Sequence, residues 1–270
     1  MNNIGKNSFD LGYMDTLASG SSSLHRLDPR AKLVTTLAFI IAVVSFDKYT
    51  ISAMTPFFIY PVVLVSLGGL PPGYLLKKIL IVSPFAILIG IFNPLIDREV
   101  LIRIGTLGIS GGWVSFVSII LRFILTIAAA LILVSLTGFN AVCSALLKFG
   151  VPRPFVTQLL FFYRYIFVLT DEAERMVRAR SFRAFNSVAM DFRTFISLIG
   201  NLLLRTLNRA ERIYLAMCCR GFDGNIRMIR PMRIGYREIV FVLGWIALFV
   251  FLRYFNIPLK LGILITGFLK

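Results

Sequence analysis

The sequence predicts an all-α membrane protein of about five transmembrane helices, with a cytoplasmic module of one short helix and two long amphipathic helices. Three observations lead to this prediction. The chain has 270 residues, of which 57% are hydrophobic, whereas soluble domains contain about 45–50%. Several apolar stretches approach the roughly 20 residues that a helix needs to cross a bilayer. Between them, the polar segment 171–238 holds 13 arginines and no lysine.

Residues 1–136 form the predicted N-terminal transmembrane part. Its four spans run over about 29–46, 51–67, 79–96 and 113–136. Asp28 is a natural N-cap and Pro29 a natural first residue for the first helix. The pair Pro71-Pro72, followed by Gly73, predicts a loop after the second span. The glycine-rich segment Asp97–Gly112 predicts a loop or a short hairpin before the fourth span.

Residues 137–238 form the predicted cytoplasmic module. A short helix over Ala141–Phe149 ends at a glycine and a Pro-Arg-Pro breaker, and a long helix follows over about 155–185. A sixth span that begins at Phe155 is the alternative, against which Arg164 and the short apolar stretch both count. The next helix, about 191–220, repeats apolar residues every three or four positions, which predicts an amphipathic helix against protein or the membrane surface.

Residues 239–270 form the last predicted transmembrane helix, about 239–255, and a tail. With the N-terminus in the cytoplasm, the cytoplasmic pieces 1–32, 68–78 and 137–238 hold 22 of the 29 basic residues, and the external pieces hold 6. This distribution follows the positive-inside rule. The net charge of +16 is therefore interpreted as a mark of topology in an inner membrane, and not as a nucleic-acid surface.

Sequence motifs for catalysis are absent. The chain lacks a phosphate-binding GxxxxGK[ST] loop, an HExxH motif and a CxxC pair. The single histidine, His25, cannot build a metal site alone, and the three cysteines do not form a disulfide framework. Arg122 lies within the fourth span and is a candidate intramembrane polar site. The alternative is that Arg122 snorkels or pairs with a neighbouring polar group.

A short pattern occurs twice in the cytoplasmic module, as Ala179-Arg180-Ser181 and as Cys219-Arg220-Gly221. Each copy lies near the end of a predicted long helix. A cation at a helix C-terminus complements the helix dipole, which is the simplest explanation of either arginine. Because small residues flank both, each guanidinium is also able to enter a pocket and bind carboxylates or helix-end carbonyls of a partner.

These features together resemble the transmembrane T component of energy-coupling-factor (ECF) transporters. The segment Ser23–Lys32, SLHRLDPRAK, resembles the motif that precedes the first span in that family. The two arginine patterns resemble its Ala-Arg-Ser/Gly coupling motifs, although Cys219 stands where the family usually has alanine. The segments FNPLID (92–97) and RYIFVLTDEAE (164–174) are most similar to the cobalt-type members, CbiQ. The resemblance covers nearly the whole chain.

The resemblance implies a subunit of an ATP-driven importer that is not itself catalytic. Two ABC-type ATPase subunits would bind ATP and magnesium, and a separate membrane subunit would capture cobalt or nickel. No cofactor or metal is expected on this chain. The expected ATPase-coupling residues are those of the two motifs: Ala179, Arg180, Ser181, Cys219, Arg220 and Gly221.

Two other interpretations of the sequence remain open. The first is a self-contained permease or membrane enzyme with an intramembrane site around Arg122. The second is a membrane-tethered nucleic-acid binder that uses the arginine-rich segment, in which case binding would depend steeply on salt. The arginine face lacks the interleaved aromatic residues that would support the second interpretation.

Overall fold

The computed structural model describes residues 12–47, 50–96, 100–104, 107–183, 191–224 and 235–255. The chain divides into two compact units. The first, here called the arginine-rich unit, comprises residues 1–15 and 139–231, and the second, called the bundle unit, comprises residues 16–138 and 232–270. The predicted helix end at 184–185 and the tail after 255 lie outside the described residues.

Every predicted helical segment contains a helix. In chain order the main elements are α1 (Pro29–Val44), α2 (Ile59–Gly68), α3 (Pro72–Gly90), β1 (Val100–Ile104), β2 (Leu107–Ser110), α4 (Gly111–Thr137), α5 (Phe139–Lys148), α6 (Arg153–Arg183), α7 (Phe192–Cys219) and α8 (Tyr236–Tyr254). Shorter helical pieces cover residues 12–18, Ser23–Arg26, Ile51–Met54 and Phe92–Ile96, and a 3₁₀ turn, Thr55–Phe58, leads into α2. In its described part, the protein is therefore all-α apart from one hairpin.

The start of α1 confirms the predicted cap, because the Asp28 carboxylate accepts a hydrogen bond from the backbone N–H of Arg30 at 2.9 Å, with Pro29 in the first helical turn. The prediction of a loop over Pro71–Gly73 was wrong about where the loop ends. Helix α3 already begins at Pro72, since a proline in the first turn needs no hydrogen bond from its own nitrogen. The turn itself is made by Gly69, which adopts a left-handed conformation with φ of 63°.

Three helices in the described part are long and apolar enough to cross a membrane: Ile51–Gly68, Pro72–Pro94 and Gly111–Thr137. The predicted first and last spans form the helices α1 and α8, of 16 and 19 residues. The hairpin alternative for the segment before α4 is confirmed, because β1 and β2 pair in antiparallel register.

Aromatic rings fill the core of the bundle unit. Phe39 of α1 stacks on Tyr60 of α2 with ring centroids 4.5 Å apart, and Phe249 of α8 lies 5.3 to 5.4 Å from both rings. The hydroxyl groups of Tyr60 and Thr36 share a hydrogen bond of 3.0 Å. Apolar residues of α4, including Leu125 and Ile132, complete the same buried cluster. The fold thus brings α1, α2, α4 and α8 around one core.

Two basic side chains tie helix ends together in the bundle unit. The buried Lys32 amine donates a hydrogen bond of 3.0 Å to the carbonyl of Leu136, at the end of α4. Arg253, in the last turn of α8, donates to the carbonyls of Ala42 and Ser45 at 3.3 and 3.2 Å, which satisfies carbonyls that the end of α1 leaves unpaired. Both arrangements place a cation at the negative end of a helix dipole.

Candidate functional site

Arg180 lies in the last turn of α6. Its neighbours are small: Ala179 is exposed and Ser181 is also exposed, and the Ser181 hydroxyl donates back to the carbonyl of Arg178 at 2.7 Å. Arg178 itself pairs with Glu174 at 3.4 Å. Within the described residues, the Arg180 guanidinium takes part in no hydrogen bond or ion pair. Arg180 is therefore a half-buried cation at a helix end, between two small, exposed neighbours and without an internal partner.

Arg220 lies at the C-cap of α7, directly before Gly221. Gly221 has φ of 78°; its N–H donates to the carbonyl of Cys218, and the N–H of Phe222 donates to the carbonyl of Met217, both at 3.0 Å. This pair of bonds is the Schellman ending, in which glycine supplies the left-handed residue. The sequence prediction of a glycine-terminated helix is confirmed. The guanidinium of Arg220, like that of Arg180, has no partner among the described side chains.

The chain beyond Gly221 folds back onto the first half of α6. The ring of Phe222 lies 6.1 Å from the ring of Phe161, and the Thr157 hydroxyl donates to the carbonyl of Gly224 at 3.2 Å. These contacts fix the end of α7 against the start of α6. They therefore hold Arg220 in place although its own side chain makes no contact of this kind.

Helices α6 and α7 run in opposite directions past each other. Glu172 of α6 pairs with Arg205 of α7 at 3.1 Å, whereas the earlier Phe161 meets the later Phe222. Arg180 lies 19 residues after Phe161, which corresponds to about 28 Å along the axis of α6. The two motif arginines are thus not brought together: they occupy opposite ends of one antiparallel helix pair.

A groove of about 460 Å³ lies between α6 and α7. The α6 side chains Tyr165, Val168 and Leu169 form one wall, and the stretch 205–213 of α7 forms most of the other. The ion pair between Glu172 and Arg205 lies in this groove. The Arg205 side chain is 65% exposed and that of Glu172 21% exposed, so solvent screens the pair and its contribution to stability is at most about 1 kcal/mol.

Helix α6 is fixed more firmly at Tyr163. The Tyr163 ring stacks on Phe139 of α5 with centroids 4.3 Å apart, and its hydroxyl donates to the Asp15 carboxylate at 2.8 Å. Burial, followed by the hydrogen bond and the charge of Asp15, raises the pKa of Tyr163 well above its ordinary value, so the hydroxyl stays protonated as a donor. This contact attaches Asp15, in the N-terminal segment of the arginine-rich unit, to α6.

Helix α7 confirms the predicted amphipathic pattern but has no buried residue. Its apolar stripe is open to the surroundings, with Phe192 75% exposed and Leu203 57% exposed. An exposed apolar face of this length is typical of a surface that another protein or a membrane covers. The structure therefore leaves a partner surface on the same helix that ends in Arg220.

The remaining sequence candidates lie in the bundle unit. Both ring nitrogens of His25 are occupied: Nε2 donates to the carbonyl of Leu17 at 3.0 Å, so Nδ1 accepts from the hydroxyl of Ser22 at 2.7 Å. Arg122 lies in α4, where its Nε and Nη2 atoms are enclosed without a hydrogen-bond partner. No cluster of three His, Cys, Asp or Glu residues occurs in the part of the chain that the structure describes.

Sequence reasoning missed the residues that hold the two arginine ends in position, chiefly Phe222, Thr157 and the Glu172–Arg205 pair. Phe222 was detectable, since an apolar residue commonly follows the glycine of a Schellman ending and packs back on the helix. The ion pair joins positions 33 residues apart on different helices, and no local pattern indicates such a pairing.

A sequence model of the CbiQ family, described as a cobalt transport protein, matches residues 20–232. The chain belongs to the CbiQ family. Membership confirms the family resemblance inferred from the sequence motifs, and the matched range includes both arginine motifs. Together with the three apolar helices, it identifies a multi-pass membrane protein.

Relatives of this CbiQ-family chain span most of its length. The chain is 27% identical over 228 residues to the energy-coupling factor transporter transmembrane protein EcfT of Thermosediminibacter oceani. This match covers 77% of the chain and 84% of that relative. It is 27% identical over 236 residues to EcfT of Bacillus subtilis, with coverage of 82% and 86%. An uncharacterized protein of Methanocaldococcus jannaschii is 28% identical over 246 residues, with coverage of 87% and 84%.

Proposed function

We propose that the chain is the transmembrane coupling (T) component of an ATP-driven ECF-type importer. In this role it transmits the movements of ATPase subunits to a separate membrane subunit that captures the substrate, and it performs no catalysis itself. Family membership and relatives named as ECF transmembrane proteins support the class of transporter. The observation that carries the coupling role is the pair of arginines, half-buried Arg180 and exposed Arg220, that lack partners among the described residues at the two ends of one helix pair.

The chemistry of these ends suits two docking sites. Each guanidinium carries five donors in a planar fork that matches carboxylates and carbonyl groups. Arg180 and Arg220 lack partners among the described residues of the chain, so neither must break an internal contact before it binds. An axial separation of about 28 Å is too large for one small pocket, and it favours two separate sockets, as a pair of ATPase subunits would provide.

The partners follow from this role. The ATPase subunits bind ATP and magnesium, so the chain itself needs no cofactor. The capture subunit holds the cargo, for which cobalt, or nickel, is proposed because the matching family is described as a cobalt transport protein. Small neighbours at each arginine, Ala179 and Ser181 at one end and Cys219 and Gly221 at the other, allow close approach of the ATPase surface.

The proposed orientation places the N-terminus and the arginine-rich unit in the cytoplasm of a bacterial or archaeal cell. The distribution of basic residues supports it, since 16 of them lie between positions 137 and 238. In this orientation both motif arginines face the compartment that contains ATP.

Charge reversal at both arginines tests the proposal. The double variant Arg180→Glu/Arg220→Glu should insert in the membrane but lose ATPase subunits on purification and lose uptake, because each socket would meet a like charge. The matched control is Arg175→Glu/Arg193→Glu, which makes the same charge change at two other arginines of the same two helices. Native uptake by the Arg180→Glu/Arg220→Glu double variant would refute the coupling role.

A self-contained permease is the second candidate, and the enclosed guanidinium of Arg122 within an apolar helix is the observation that favours it. The two candidates differ in one measurement. Uptake of cobalt or nickel by liposomes that contain this chain alone would favour the permease, whereas uptake that requires co-reconstituted ATPase and capture subunits favours the coupling component.

A further inference from the structure

Arg122 lies near the middle of the most apolar helix of the protein. Helix α4 spans Gly111–Thr137, so Arg122 is about 17 Å along the axis from its start and about 23 Å from its end. Long basic side chains reach the interface only from near the ends of a span. The guanidinium is never neutral in proteins, so this cation stays at membrane depth and needs an acceptor there.

The side chain of Arg122 belongs to the packed face of α4. The buried residues of this face recur every three or four positions on both sides of it: Ser115, Ser118, Leu125, Ala129 and Ile132. Arg122 itself is only half-buried, with Nε and Nη2 enclosed and without a partner. Nε and Nη2 thus face the interior of the chain, and the exposed part of the side chain lies on the remaining side, where a group from outside the chain is able to approach.

Within the described part of the bundle unit, no aspartate or glutamate forms an ion pair with Arg122: Asp28 lies before α1 and pairs with Arg30, and Asp47 lies beyond the end of α1. The helices α1, α2, α3 and α4 contain no aspartate or glutamate at all. In α8 the single acid is Glu238, and its carboxylate accepts from the backbone N–H of Gly235 at the start of that helix. The nearest hydroxyls on α4 are also engaged, since Ser118 contacts the sulfur of Met54 and Thr126 donates to carbonyls of its own helix.

We propose that Arg122 binds a carboxylate side chain on a membrane helix of the substrate-capture subunit, an inference that rests on the proposed function. A carboxylate pairs with a guanidinium through charge-assisted hydrogen bonds, here to the N–H groups on its exposed side. A lipid phosphate would bring the same charge, but the headgroups lie about 15 Å from the centre of a hydrocarbon layer about 30 Å thick. An aspartate or glutamate on a membrane helix of another protein is able to place a negative charge near the middle of the hydrocarbon layer, where Arg122 lies.

The test uses the complete complex, with this chain, the ATPase subunits and the capture subunit produced together. Arg122→Leu should co-purify with the ATPase subunits as the native chain does. The amount of capture subunit that co-purifies should fall about tenfold or more, because a desolvated carboxylate on that subunit is left unpaired. Leucine favours insertion at this depth, so loss of the chain itself is not expected. Thr126→Val, one turn away on the same helix, is the matched control and should retain both partners.

A charge exchange identifies the acid. In the Arg122→Glu background, each Asp or Glu within the membrane helices of the capture subunit is replaced in turn by Arg, and one replacement should restore retention and uptake. Native retention and uptake by Arg122→Leu would overturn the inference and leave the proposed function intact. Retention that depends on anionic lipid in nanodiscs, with no restoring exchange, would overturn it in favour of a lipid phosphate. A native chain that retains neither type of partner would overturn both proposals.

Discussion

Replacing Gly221 by alanine should loosen the end of α7 that carries Arg220. Gly221 has φ of 78°, in the left-handed region that costs a residue with a Cβ atom about 1–2 kcal/mol. A Cβ at this position would have no heavy atom within 4 Å. The cost is therefore purely conformational, and no steric clash adds to it or obscures it.

The magnitude translates directly into local opening. The two bonds that close the helix are donated by the N–H groups of Gly221 and Phe222. If the closed end of α7 is destabilised by about 1–2 kcal/mol, the population in which this end is open rises about 5- to 30-fold. Hydrogen exchange of these two amides in detergent or nanodiscs should accelerate by the same factor, while exchange in the middle of α7 should stay unchanged.

Gly200 supplies the matched control. It lies inside α7 in a helical conformation, and an added Cβ there also has no heavy atom within 4 Å. Gly200→Ala should therefore stabilise the helix by up to about 1 kcal/mol, the opposite sign for the same chemical change. Gly221→Asn should fall between native and Gly221→Ala, because asparagine tolerates the left-handed conformation. Equal protection of the Phe222 amide in the native chain and in the Gly221→Ala variant would refute the reasoning.

Two further perturbations probe the bundle unit. Arg253→Leu removes the hydrogen bonds to the end of α1 and the contact with the Phe46 ring. The free energy of unfolding should fall by about 1 kcal/mol, which lowers Tm by roughly 2–4 °C. An unchanged Tm would contradict this prediction. Burial lowers the pKa of His25 below its ordinary value of about 6.5, so the unfolded chain binds more protons in mild acid and stability falls as pH drops below about 6.5. Thermal unfolding at about pH 7.5 and 5.5, on either side of that value, should show a lower Tm at the lower pH in the native chain and a smaller difference in His25→Gln. An equal change of Tm in both chains would show that His25 is not the cause.

The sequence predicted the helices most closely where periodicity and end signals agree. For α7, the predicted range of about 191–220 compares with Phe192–Cys219 in the structure, because an apolar stripe and a terminating glycine both mark it. At Pro71–Gly73 the same residue types indicated a loop, yet Pro72 begins a helix. Proline is compatible with either role, and its local sequence does not decide between them.

The candidate site divides in the same way. The positions of Arg180 and Arg220 at helix ends follow from local pattern, as does the left-handed Gly221. Their separation along α6 does not, because it depends on the pairing of Glu172 with Arg205 and of Phe161 with Phe222. These contacts join distant parts of the chain, and only the packing of the two helices determines which residues meet.

The described helix α7 contains no buried residue, and this matters for copies of the chain that have not assembled. An apolar face that a partner protein or the membrane covers is exposed whenever that cover is missing. If the proposed assembly is correct, copies without their partners would be more open to proteolysis, because locally exposed and weakly stabilised segments are the ones that proteases reach. Turnover of unassembled copies would keep the amount of this chain matched to that of its partners.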